Sequence, residues 1–171
     1  MFETERLLIR PWTDEDRPAH RLIMEDAEVR RYVHGGRLYR DEDADEFFAR
    51  QARNLVQAGV CMGAVVEKAS GRLVGIAGTQ PLGTTGNLEV GWIFSRDTWG
   101  RGYATEAGGA AVHHVLEVLK RPRVVAIIDP DNVASKRVAA RLQMEYEARY
   151  TGAQLGHRKP DIIVDLFVRL R

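Results

Sequence analysis

The chain has a single cysteine, Cys61, so no intramolecular disulfide can form and a cysteine-built zinc site is excluded. Its five histidines, His20, His34, His113, His114 and His157, show no H-E-x-x-H or comparable spacing, and no metal is expected. No apolar run approaches the roughly 20 residues of a membrane span, so no membrane partner is expected either. The net charge of +1 argues against nucleic acid as an extended partner. G-x-x-x-x-G-K-[ST] is absent, and G-x-G-x-x-G fails because Thr105 stands where its third glycine would be. Nucleotide hydrolysis on a P-loop and dinucleotide oxidoreduction are thereby disfavoured. Repeats, low-complexity stretches and Pro/Gly-rich linkers are lacking, so residues 1–171 read as one domain. The opening M-F-E-T-E-R carries acids where a secretory leader needs a basic end and an apolar run; with the lone thiol, this gives the expectation of a cytoplasmic protein.

What is present is a composition that can build a core, 44% hydrophobic and 29% charged. Residues 6–10 read as a first strand ended by Pro11, and 13–25 as a helix with acids in its first turn. A short helical turn over 26–36 should close at Gly35-Gly36. Residues 41–58 are acidic at the start, carry Phe47, Phe48, Leu55 and Val56 at near-helical spacing, and precede Gly59, which predicts a helix with a glycine cap. The β-branched runs 61–67, 73–82 and 88–94 predict an antiparallel meander. A helix over 103–120, a strand over 123–128 paired in parallel, a helix over 131–142 and closing strands over 144–150 and 161–168 complete the pattern. The expected fold is α/β: a mixed, mostly antiparallel sheet of about seven strands with helices on both faces.

The stretch S-R-D-T-W-G-R-G-Y-A-T-E-A-G-G, Ser95 to Gly109, places glycines between a strand and a helix. Such a loop crowds backbone N–H groups at a helix N-terminus, where an anion such as phosphate is the natural guest, although a plain turn uses the same residues.

W-G-R-G-Y-A-T-E-A at Trp99–Ala107 resembles the acetyl-CoA pyrophosphate loop of the GNAT superfamily of N-acetyltransferases, in the spelling of its Rim-type, ribosomal-protein-acetylating branch. E-T-E-R-L-L-I-R-P-W, E-V-G-W-I-F and D-N-V-A-S-K-R resemble that branch in the same order along the chain. The chain departs from it at L-Q-M (Leu142–Met144), where L-G-F is common, and at H-R-K-P-D, where a tryptophan often precedes the aspartate. In relatives that end of the fold borders the acceptor site.

The resemblance implies acetyl-CoA as donor and an amine acceptor, either a protein N-terminus or a small molecule, with a homodimer as a further expectation by analogy. It leaves a non-catalytic acyl-CoA-binding or sensor protein as the alternative. Trp99, Gly100, Arg101, Gly102, Tyr103, Ala104 and Thr105 would hold the pyrophosphate, with Trp99 serving packing more than contact. Ile93 and Phe94 would present backbone groups to the pantetheine arm. Gly91 in mid-strand suggests a bulge or a close backbone approach. Glu89 shares a strand face with Gly91 and Ile93, as a general base or amine ligand or as a plain solvated carboxylate. Asn132 would bond the pantetheine, or simply cap its helix. Ser135 would stand near the sulfur and replace the tyrosine that many GNAT enzymes use to protonate the thiolate. Lys136 and Arg137 read as phosphate contacts or a solvated face, and Glu106 as a helix-dipole partner.

Overall fold

The computed structural model describes residues 2–33 and 36–171; His34, and Gly35 of the expected Gly35-Gly36 closure, lie outside them. The strands are β1 (Phe2–Glu3), β2 (Leu7–Arg10), β3 (Met62–Glu67), β4 (Leu73–Pro81), β5 (Leu88–Phe94), β6 (Arg123–Ile128), β7 (Glu145–Thr151) and β8 (Ile163–Leu170). They form one eight-stranded sheet in the order β1-β2-β3-β4-β5-β6-β8-β7. Every neighbouring pair is antiparallel except β5 and β6. The expected count of seven is corrected by β1, which pairs Phe2 with Ile9 and is too short to carry any periodic signal.

Helices cover both faces. α1 (Arg17–Glu25), α2 (Ala27–Arg30) and α3 (Asp41–Ala58) precede the meander; α4 (Tyr103–His113) and α5 (Val133–Arg141) follow it. Met24 of α1 and Phe47 and Phe48 of α3 pack on Met62 and Ile76 with Ile93 beside them. Ala111 and Val112 of α4 and Ala139 of α5 pack against Leu88, Val90, Val124, Ala126 and Ile128. α4 lies close on the sheet because Gly108 has no side chain: a Cβ there would stand 2.9 Å from Leu142 Cδ1 and 3.3 Å from Trp92 Cε3.

The helix expected over 103–120 is α-helical to His113 and continues as a π turn over His114–Val118. His114 is half-buried beside Phe2, ring centroids 6.0 Å apart, while His113 is exposed. The helix expected from Thr13 opens as a 3₁₀ turn, Asp14–Asp16, before α1. On the α1–α3 face no α-helix of the described residues covers the β6–β8 half of the sheet; Leu155, from a 3₁₀ turn (Ala153–Leu155) in the β7–β8 connection, packs there on Val125, Val164 and Leu166. That connection reaches the β4–β5 turn, where Thr84 N–H donates to the Leu155 carbonyl at 3.3 Å. No helix is long and apolar enough to cross a membrane among the described residues.

Candidate active site

β5 and β6 share one register pair, Glu89 with Val125, and then part. The backbone facing the resulting gap follows from strand alternation. Ser95 N–H donates to Val74 O at 2.9 Å, so the odd residues of β5, including Ile93 opposite Ile76, bond to β4. The even residues turn the other way, and the N–H groups of Trp92 and Phe94 face the gap. This corrects the expectation for Ile93, whose backbone is consumed by β4; Trp92 takes its place. Phe94 keeps its N–H, but its carbonyl accepts from Trp99 Nε1 at 2.9 Å. Trp99, half-exposed, thus ties the loop to the end of β5.

Side chains alternate oppositely. Glu89, Gly91 and Ile93 point to the α1–α3 face and line one cavity of about 210 Å³ that reaches into the gap. Across it stand Ala126 to Asp129, with Asn132 and Ser135 at the start of α5. Gly91 marks no bulge, since the β4–β5 register is unbroken through Gly78 opposite Gly91. A Cβ on Gly91 would instead come within 2.9 Å of Met62 Cε, so a side chain fills that space.

Glu89 is 9% exposed, which removes the solvated-carboxylate reading. Burial pushes its pKa up to about 7, against the pull of a hydrogen bond from Gln80 and of the positive charges of Arg50 and Arg158. Gln80 Nε2 donates to Glu89 Oε2 at 3.2 Å, Gln51 Nε2 donates to Gln80 Oε1 at 3.4 Å, and Met62 N–H donates to Gln51 Oε1 at 2.9 Å. A relay of amides thus fixes a carboxyl group that is partly ionised near neutral pH. His20, fully buried in the same cavity wall among Trp12, Tyr39, Phe47 and Phe48, is held neutral by burial, its pKa lowered to about 4.

Asn132 is the cap of α5: its Oδ1 accepts from Ser135 N–H at 3.0 Å. The Ser135 hydroxyl is half-buried at the cavity. Lys136 is partly exposed but its Nζ is engaged within the fold, donating to Asp165 Oδ2 at 2.7 Å and Pro130 O at 2.6 Å. Among the described residues no cluster of three His, Cys, Asp or Glu side chains is arranged to hold a metal ion.

The glycine loop lies beyond the cavity, at the far end of β5. Gly100 and Gly102 have φ of +77° and +83°, which bend the chain so that Gly102 opens α4. Among the described residues, the N–H groups of Gly100, Gly102, Tyr103, Ala104 and Thr105 donate to no protein acceptor, whereas Arg101 N–H donates weakly to Thr98 O at 3.4 Å. Glu106 does more than favour the dipole: it accepts from Thr4 Oγ1 at 2.6 Å, Arg6 N–H at 2.9 Å and Arg6 Nε at 2.7 Å, stapling the β1–β2 turn to α4. Arg6 in turn covers the Tyr103 ring at 4.6 Å and donates to Arg101 O at 3.0 Å. The Arg101 guanidinium is exposed, 3.8 Å from Glu67 Oε1.

Glu89, Ile93, Asn132 and Ser135 therefore meet at one cavity, and Trp99–Thr105 form a separate loop in which the amides of Gly100 and Gly102–Thr105 have no acceptor among the described residues. Sequence reading missed Trp92, Gln80, Arg50 and Arg158. Gln80 becomes visible once the meander register is fixed, since it stands directly opposite Glu89.

Comparison with known proteins agrees with this architecture. The family model described as "Acetyltransferase (GNAT) domain" matches residues 6–145. A Bacillus subtilis protein, YkkB, is 31% identical over 84% of this chain and 84% of its own. An acetyltransferase from Agrobacterium tumefaciens superposes with a TM-score of 0.83 at 26% identity, covering 99% of this chain and 94% of that one. The ribosomal L7/L12 alpha-N-protein acetyltransferase RimL, solved in complex with coenzyme A, shares the fold with a TM-score of 0.77 at 17% identity over 98% and 95% of the two chains.

Proposed function

The chain belongs to the GNAT acetyltransferases, and from that premise we propose that it transfers the acetyl group of acetyl-CoA directly to a primary amine, favouring an α-amine over a lysine side chain. The observation that carries this reading is the parting of β5 from β6 beside a buried carboxyl group. A pantetheine arm fits a gap edged by the N–H groups of Trp92 and Phe94. A pyrophosphate fits the unpaired amides of Gly100 and of Gly102 to Thr105, at the positive end of the α4 dipole. The complex of RimL with coenzyme A supports this use of the fold.

Glu89 has the pKa to take a proton from an incoming ammonium at neutral pH, directly or through water. Attack of the neutral amine on the thioester carbon then forms the C–N bond, and an N–H donor at the gap stabilises the oxyanion. Its collapse breaks the C–S bond while the surplus proton on nitrogen passes to the departing thiolate. Ser135 is the hydroxyl available to protonate that sulfur. If it does so, Ser135→Ala lowers kcat by about 10²–10⁴-fold with little change in acetyl-CoA affinity. A CoA thiol with a pKa near that of cysteine, about 8.5, can also leave unaided. A loss of only a few-fold in single-turnover kinetics assigns Ser135 to binding.

The preference for an α-amine follows from how many amines are neutral. An α-amino group with a pKa of about 7.7–8.0 is roughly 10–20% neutral at pH 7, whereas a lysine at about 10.4 is neutral in about one molecule in 2,500. A lysine-specific site must supply the difference, about 3 kcal/mol at about 1.36 per pKa unit. One buried carboxyl group suits the lighter demand. The test uses one peptide in two forms, with a free N-terminus and no lysine, or N-blocked with one lysine. The first is expected to be acetylated faster at pH 7, and the reverse order overturns the preference.

A further inference from the structure

Two arginines that no part of the transfer chemistry requires also line the cavity that holds Glu89. Arg50 comes from α3, and Arg158 from H-R-K-P-D, the segment where this chain departs from its branch. The β7–β8 connection carries Arg158 across the sheet because it is stapled on itself. Gly152 N–H donates to Ile162 O at 2.8 Å, His157 N–H to Gly152 O at 2.8 Å, and Lys159 N–H to His157 Nδ1 at 3.1 Å. Gly152 must be glycine here, because a Cβ would stand 1.9 Å from Lys159 O.

The local charge is out of balance. Arg50 and Arg158 each make one hydrogen bond among the described residues, and both go to the same oxygen, Glu46 Oε1, at 3.2 and 3.5 Å. The Arg50 side chain is only 20% exposed, and Glu46 is 56% exposed. The nearby Arg37 is matched by its own partner, donating to Asp43 Oδ2 at 2.8 Å. Lys159, next to Arg158, has its pKa lowered to about 8, first by burial and then by the charges of Arg158, Arg37 and Arg50, against the pull of Asp43. Two guanidiniums with one shared, mostly solvated carboxylate form an electropositive wall facing the buried carboxyl group of Glu89, while the cavity's other carboxylate, Asp129, lies on the opposite side with Asn132.

We propose that the acceptor carries an acidic group, a carboxylate or a phosphate, on the same small skeleton as its amine, with Glu89 taking the amine end and Arg50 and Arg158 the acidic end. This rests on the acetyl-transfer reading and narrows it. A planar guanidinium matches the oxygens of either anion, and a pair of them in a half-buried site gains more from an anion than from water. A cavity of about 210 Å³ lies below the usual range of drug-sized pockets, about 300–1,000 Å³, which suits a small amine or one terminal residue. The acid can therefore belong to a free metabolite or to the first residue of a chain.

The test compares matched amines with acetyl-CoA as donor. β-Alanine is set against propylamine, phosphoethanolamine against ethanolamine, and a tripeptide amide beginning with Asp against the same peptide beginning with Asn. The acidic member is expected to have the higher kcat/KM by about tenfold or more, mostly through KM. In Arg158→Gln and Arg50→Gln that ratio should collapse toward one, with Arg158→Lys recovering part of it. Preference in the first two pairs assigns a free small molecule, and preference confined to the peptide pair assigns a chain terminus. Neutral members that react as well in every pair overturn the arginine site while leaving acetyl transfer intact. CoA release that no amine accelerates overturns the transfer reading instead. The arginine site is then judged on the CoA-loaded protein: β-alanine or phosphoethanolamine should raise Tm more than its neutral partner, and equal shifts refute it.

Discussion

Glu89→Gln is expected to lower kcat/KM for amine acetylation by about 10²–10⁴-fold while acetyl-CoA affinity stays unchanged. The substitution keeps the volume and an oxygen that can accept from Gln80 Nε2, so the amide relay from Gln51 survives. What it removes is the ability to bind and release a proton. Only the ionised carboxylate can act as base, so wild-type kcat/KM should rise with pH through about 7, where burial places this group. The variant should lose that limb and keep only the rise set by the amine itself. Stability should move the other way. A carboxyl group whose folded pKa is raised above its unfolded value holds extra protons in the native state, so stability falls as pH climbs from about 4.5 through about 7. Above that window the buried charge costs about 3 kcal/mol at about 1.36 kcal/mol per pKa unit, and Glu89→Gln should therefore raise Tm at pH 8 while barely changing it at pH 4. An inactive variant that is less stable at pH 8 would mean that Glu89 is a structural anion. A fully active one would remove it from the chemistry.

How much of this site the sequence reveals depends on the range of the interactions that make it. The bounds of α3, β5 and β6 can be read directly, because acidic starts, β-branched runs and the Gly59 cap are local signals. β1 cannot, since two residues have no period and exist as a strand only because Phe2 reaches Ile9. The face shared by Glu89, Gly91 and Ile93 follows from alternation alone. Which of their backbone groups are spent does not, because that depends on a single bond from Ser95 to Val74 across two strands. The burial of Glu89 likewise needs Gln80 opposite and α3 above. Arg158 is the extreme case: a charged residue in a turn between closing strands reads as solvated. It reaches the cavity only because Gly152, His157 and Lys159 fold the connection back on itself. The departure of H-R-K-P-D from its branch is the one signal in the sequence that points there. The Asn132 cap is the opposite lesson, since its local reading, a helix cap, is the one the hydrogen bond to Ser135 bears out.

Thr105→Asp is expected to weaken acetyl-CoA binding by about a hundredfold or more while leaving the protein as stable as before or slightly more so. The opposite signs separate a phosphate cradle from an ordinary helix start. Thr105 stands in the first turn of α4, where the N–H groups of Tyr103, Ala104 and Thr105 have no acceptor among the described residues. An aspartate there complements the helix dipole and contributes about 0.3–1 kcal/mol to folding. It also occupies the field that a pyrophosphate would use. Two unit charges about 5 Å apart repel by about 3 kcal/mol at an effective dielectric of about 20, which corresponds to a loss of more than a hundredfold in affinity. Thr105→Val is the matching control: it keeps the shape and the backbone N–H, and since the Thr105 hydroxyl makes no hydrogen bond among the described residues it should bind acetyl-CoA nearly as well as wild type. Gly102→Val would be a poorer probe, because φ of +83° strains any β-branched residue and mixes folding with binding. Calorimetry at low and high salt completes the test. The penalty in Thr105→Asp should shrink as the Debye length falls from about 10 Å at 0.1 M to about 3 Å at 1 M. A folded Thr105→Asp protein that binds acetyl-CoA as tightly as wild type at low salt would remove the phosphate from this loop, and Trp99–Gly102 would then be only the turn that carries β5 into α4.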